Sequence, residues 1–121
     1  MFKRNTKTFG KGRLKSGEMN KTEQAYSEYL EHKRIVGEIL WWSFEGIKFK
    51  LADSCHYNPD FAVMLPDGVV EVHEVKGSLS FIQDDAKVKI KVAAAQFPFR
   101  FILVAPIAKK NGGGWEIREV G

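Results

Sequence analysis

The sequence predicts a mixed α/β domain, a central mixed sheet flanked by helices in the order α-β-β-β-β-α-β-β. Three observations predict it. Apolar residues recur at helical spacing in two separate stretches, and six other runs alternate or are continuously apolar over strand length. The second helical stretch falls between two strand runs, so the strand after it can lie parallel to the strand before it through a right-handed crossover.

The first helix starts at Asn20-Lys21-Thr22-Glu23, where Asn20 can cap the helix and Glu23 can reach back to its amide. Tyr26, Tyr29, Leu30, Lys33 and Val36 or Gly37 follow at helical spacing, with Gly37 as the stop. In EILWWSFE, Leu40, Trp42 and Phe44 share one face of a strand, and Ile39 and Trp41 the other. Glu45-Gly46 turns the chain into IKFKLA, whose Ile47, Phe49 and Leu51 alternate with polar residues. NPDFAVM at 58–64 and VVEVHEVK at 69–76 form two further strands, joined by the tight turn Leu65-Pro66-Asp67-Gly68. A helix is expected from Ser80 to Gln96, capped by Ser80 and Gln83, with Ile82, Ala86, Ile90, Ala93 and Ala94 as its apolar stripe. FRFILVA then reads as a buried strand, NGGG as a turn and WEIREV as a last alternating strand.

Length and composition allow one core. The chain has 121 residues, 44% of them hydrophobic, and no run apolar enough to span a membrane or serve as a signal peptide. The single Cys55 excludes an internal disulfide and a cysteine-based zinc knuckle, which makes a reducing cytoplasm the expected compartment. Nucleophilic chemistry by Cys55-His56 is disfavoured, because neighbours on a strand point to opposite faces. Charge is uneven. Residues 1–20 carry Lys3, Arg4, Lys7, Lys11, Arg13 and Lys15 against Glu18, a balance of +5 within a net charge of +4. Residues 1–19 therefore read as a basic arm suited either to DNA phosphates or to solubility, and 20–121 as the domain.

The residues with the strongest chemical content lie in NPDFAVMLPDGVVEVHEVKG, 58–77. Alternation places Val70, Val72, Glu74 and Lys76 on one face, and Glu71, His73 and Val75 on the other. The hairpin turn brings Asp60 back beside Glu74. Two adjacent carboxylates repel unless a proton or cation lies between them, and oxygen ligands of this kind suit Mg²⁺ or Mn²⁺. Lys76, on the same face, can hold an attacking water or offset charge on a phosphate. The plain alternative is a charged outer strand with Asp60 merely opening its neighbour. Asp67 belongs to turn chemistry, and His73 reads as a packed histidine.

Pro59-Asp60 followed by Glu74-Val75-Lys76 resembles the signature of the PD-(D/E)xK nuclease superfamily. Within it the chain is similar to small phage-type endonucleases, some related to Holliday-junction resolvases, over about Asn20 to Ala105. Glu23 matches the family's first-helix glutamate and Val75-Lys76-Gly77 the usual exit from the catalytic strand. The glutamine motif that follows the lysine in some exonuclease branches has no clear counterpart here.

The resemblance implies a restriction-endonuclease-like core and a Mg²⁺-dependent endodeoxyribonuclease, with Mn²⁺ as substitute. Asp60, Glu74 and the Val75 carbonyl would hold the metal and Lys76 would orient water. Glu23 would join the metal shell or serve only as a helix cap. Lys87 and Lys89 would reach phosphate, while Lys91 reads as a solvated position. DNA is the expected partner, branched or junction DNA included, in a bacterial or phage-infected cell. Cutting a junction on both strands needs a homodimer, and Trp41-Trp42 is either its contact or core. The competing expectations are a non-catalytic nucleic-acid-binding module, or a subunit of a recombination or transposition complex, on the same fold.

Overall fold

The computed structural model describes residues 17–80 and 82–121. The basic arm residues Lys3, Arg4, Lys7, Lys11, Arg13 and Lys15 lie outside them. Packing begins before the expected domain start, since Glu18 and Met19 are already buried.

Helix α1 spans Lys21–Ile35 and opens on the expected capping box. The Glu23 amide donates to the Asn20 side chain at 2.8 Å, and the Asn20 amide donates to the Glu23 carboxylate at 2.9 Å. Asn20→Ala is expected to cost about 1 kcal/mol, read as a lower urea midpoint. The inward stripe is Tyr26 and Leu30, whereas Val36 and Gly37 lie in the exposed exit of the helix. Gly37 takes φ +87°, the left-handed conformation that ends helices at low cost in glycine.

Strands β1 (Trp41–Phe44), β4 (Phe61–Met64), β5 (Val70–Val75), β6 (Arg100–Pro106) and β7 (Trp115–Val120) form a five-stranded sheet in the order β1-β4-β5-β6-β7. Only β5 and β6 are parallel, and helix α2 (Asp84–Gln96) lies between them in the chain. The sheet is therefore mixed, as expected. The order of elements differs in one respect: strand β2 (Phe49–Ala52) does not enter the sheet but pairs with an unforeseen strand β3 (Cys55–Tyr57). Glu45 takes φ +53°, which turns the chain out of β1. At Gly46 a Cβ would meet the Ser43 side chain, so any larger residue there would force Ser43 to shift.

The expected hairpin of β4 and β5 is present, with Phe61 opposite His73 and Met64 opposite Val70. In its turn the Gly68 amide donates to the Leu65 carbonyl and the Val69 amide to the Asp67 carboxylate, so Asp67 serves the backbone. Helix α2 starts later than expected, and the Ser80–Gln83 capping box does not form. Ser80 instead bonds the Ser78 hydroxyl, and Gln83 caps without a side-chain hydrogen bond. Asp84 and Asp85 supply negative charge to the first turn in its place.

Two cores sandwich the sheet. Tyr26 and Leu30 of α1 pack on Phe61, Val63, Val75 and Val104 on one face. Ile90 and Ala93 of α2, with Phe49 and Tyr57 of the β2–β3 hairpin, cover Val72, Phe101 and Leu103 on the other. The expected pairing of Trp41 and Trp42 separates here. Trp42 packs on the core and donates to Glu31 at 2.9 Å, while Trp41 is exposed. Cys55 is a free, half-buried thiol, and its neighbour His56 is exposed. Among the described residues no helix is long and apolar enough to cross a membrane.

Candidate active site

The β4–β5 ladder ends one pair short of Asp60 and Glu74. Continuing its register places these two opposite each other. The Leu65 amide bonds the Val69 carbonyl, which fixes the alternation of hydrogen-bonded pairs along the hairpin. Asp60–Glu74 then falls at a non-hydrogen-bonded position, where facing side chains approach most closely. Pro59, fully buried, precedes Asp60. At the strand end the Val75 amide donates to the Asp60 carboxylate at 2.8 Å. The Asp60 carbonyl accepts from the Glu45 amide at 2.8 Å, so Asp60 is held from both neighbouring strands.

Glu74 is held at both oxygens. The buried Tyr57 hydroxyl donates to Oε1 at 2.8 Å, and the Lys76 ammonium stands 3.1 Å from Oε2. The Lys76 backbone is fixed by its amide, which donates to the Val104 carbonyl at 2.8 Å. The cluster lies where β5 leaves the sheet, at the carboxyl end of the parallel pair, a common place for ligand sites in α/β sheets.

Asp60 bears the electrostatic cost of this arrangement. Burial first and repulsion from Glu74 second push its carboxyl up to about 8; the Val75 amide and Lys76 pull it down, while Glu23 pushes it further up. Burial likewise raises the Glu23 carboxyl, against a hydrogen bond from Asn20 and another with Asp60. Glu23 thus caps its helix and stands beside Asp60. Its two expected roles are compatible in space.

Mg²⁺ and Mn²⁺ suit this set of oxygen donors. Among the described residues no group of three or more His, Cys, Asp or Glu side chains is placed to hold a metal ion. Mg²⁺ needs none, because it retains several waters and uses one or two carboxylates. The Asp60 carboxyl is raised by burial first and by the charge of Glu74 second, and a cation between the two carboxylates would relieve the second of these.

Tyr57 is a site residue that sequence pattern alone did not reveal. Burial first, then the charge of Glu74, raises its phenol well above the ordinary value, so Tyr57 is a neutral donor that orients Glu74. Its signal was its position, three residues before Asp60 in CHYNPD, in a strand that alternation could not reveal because it is only three residues long. Glu45 is a second addition, since its charge acts on Glu23. Tyr57→Phe keeps the ring packing and removes the donor. A drop in kcat of about tenfold with intact folding is the expected result, measured on the cleavage reaction proposed below.

His73 and Glu71 lie on the opposite face, as alternation required. The His73 ring sits 2.6 Å from the Tyr26 hydroxyl and 2.9 Å from Glu71, which also pairs with Arg100 at 2.8 Å. They form a structural network under α1. Lys87, Lys89 and Lys91 are all exposed. Lys87 and Lys91, rather than Lys89, border a groove of about 520 Å³ between α2 and β7, with Arg118 on its far side. The chain matches no known family model, no curated protein and no solved structure.

Proposed function

We propose that the protein is a Mg²⁺-dependent endodeoxyribonuclease that hydrolyses DNA phosphodiester bonds. The observation that carries this reading is the facing of Asp60 and Glu74 across a hairpin end, with Lys76 held 3.1 Å from Glu74. Asp60 and Glu74 would hold the ion, together with the Val75 carbonyl. Once bound, it supplies Lewis acidity and a more acidic water. Lys76 would orient an attacking water and offset charge that develops on the phosphate. Tyr57 fixes the Glu74 carboxylate, and the Val75 amide fixes Asp60, so the ligands are oriented before substrate arrives. Glu23, beside Asp60, adds a further acceptor for a water in the shell.

The basic arm supplies attraction for the DNA backbone that does not depend on sequence. A domain of this size has little surface for reading bases, which favours DNA shape, junctions included, over a long recognition sequence.

The test is cleavage of a labelled four-way junction and a matching linear duplex, with Mg²⁺ or with EDTA, by wild type and Lys76→Met. Metal-dependent cutting by wild type, reduced about a hundredfold or more in the variant, supports the reading. DNA binding without cutting supports a non-catalytic binding module instead.

A further inference from the structure

We infer that β7 is a self-pairing edge through which two copies of this chain join their sheets. Among the described residues nothing pairs with the outer side of β7, the last strand of the five. The Ile107 amide donates to the Gly114 carbonyl, a pair in the same register as the whole β6–β7 ladder. Alternation of bonded and unbonded pairs then turns the backbone groups of Glu116, Arg118 and Val120 toward β6, and those of Trp115, Ile117 and Glu119 outward. β7 therefore offers three residues' worth of donors and acceptors along an open edge.

A second copy fits this edge by symmetry. Two β7 strands related by a twofold axis normal to the sheet run antiparallel and keep each side chain on its own face. The three central registers that satisfy the outward backbone groups place the axis at Glu116, Ile117 or Arg118. The first sets Glu116 against Glu116 of the partner subunit, and the last sets Arg118 against Arg118 of the partner subunit. Both bring like charges directly opposite, which is unfavourable. The axis at Ile117 instead sets Glu116 against Arg118 of the partner subunit, twice over. Ile117, which is 55% exposed in the single chain, then packs on Ile117 of the partner subunit. Only this register matches charge to charge and buries the exposed apolar side chain.

Edge strands that avoid pairing are blunted by charged side chains, lysine above all, or by proline. WEIREV has neither lysine nor proline, and of its three charges Glu116 and Arg118 complement each other on reversal, while Glu119 faces Trp115. The inference does not depend on the nuclease reading, because β7 contributes no residue to the carboxylate cluster.

Sedimentation of the full chain over a wide concentration range tests it. Wild type is expected to dimerise. Arg118→Glu or Glu116→Arg alone opposes like charges twice and should raise the dimer Kd about tenfold or more. Mixing the two single variants should restore association as a heterodimer, since one then carries acids at both facing positions and the other carries arginines at both. The double swap should restore the homodimer. Ile117→Pro removes a donor that points outward, so it should leave the β6 ladder intact and give a monomer. A wild type that remains monomeric at every concentration overturns the inference. So does a dimer whose Kd ignores both charge reversals, or single variants that are folded by circular dichroism and fail to associate when mixed.

Discussion

Asp60→Asn is expected to stabilise the metal-free protein at pH 8 while abolishing metal-dependent cleavage. The Asp60 carboxyl stands near 8 in the folded chain, against an ordinary value of 3.8. The folded state therefore holds this proton more tightly than the unfolded state does. Linkage then makes wild-type stability fall as pH rises from about 4 to about 8, because in that window the unfolded chain ionises freely and the folded chain does not. Above the folded value the full penalty of a buried, repelled carboxylate is in place. Asparagine keeps an oxygen for the Val75 amide and carries no charge, so it escapes the penalty. After a discount for solvent reaching the site, the gain at pH 8 is expected to be about 2 kcal/mol, and it should vanish near pH 4. Thermal melts of both proteins across this range read the difference, which cancels the titration of every other carboxylate. Adding Mg²⁺ should raise the wild-type Tm and leave that of the variant unchanged. A variant less stable than wild type at pH 8 would mean that the Asp60 charge is already compensated within the chain.

Phe61→Ala is expected to destabilise the fold by about 3–5 kcal/mol, the usual range for an emptied aromatic site. Phe61 has no exposed surface and lies within 6 Å, centroid to centroid, of Tyr26, Trp42 and Phe44. It joins α1, β1 and β4 in one cluster, so the cavity cannot be closed by one neighbour moving alone. Against a typical domain stability of about 5–15 kcal/mol, that loss is large. Urea unfolding followed by tryptophan fluorescence measures it, and Phe61→Leu, which keeps most of the volume, should cost clearly less. Because Phe61 adjoins Asp60, the folded fraction of the alanine variant should also bind metal more weakly. Unchanged metal affinity would show that the β4 end is held by backbone bonds alone.

The hairpin that carries the site was legible because two signals agree there. A Pro-Asp-Gly turn fixes where the chain reverses, and the period of two then fixes which side chains share a face. That was enough to put Asp60 opposite Glu74, to place Lys76 with Glu74, and to send Glu71 and His73 to the other side. The capping box of α1 was equally legible, since Asn20 and Glu23 satisfy one another locally. What escaped depends on contacts distant in sequence. The β2–β3 hairpin packs on Phe97, Phe99 and Phe101, aromatic rings from the far side of α2, and nothing in IKFKLA distinguishes that role from a place in the main sheet. Tyr57 became a site residue by the same route, carried in by a three-residue strand. At α2 the Ser80–Gln83 spacing gave a false start, because Ser78 was available to bond Ser80 first.

The proposed activity requires Asp60 and Glu74 to hold a divalent cation. Calorimetric titration of Mn²⁺ into wild type and Asp60→Asn in the absence of DNA tests it most directly. The expected result is saturable binding to wild type, weakened at least about tenfold by the substitution, with the loss repeated in Glu74→Gln. Equal Mn²⁺ affinity in all three proteins would contradict it, and would reduce the two carboxylates to a charged hairpin end.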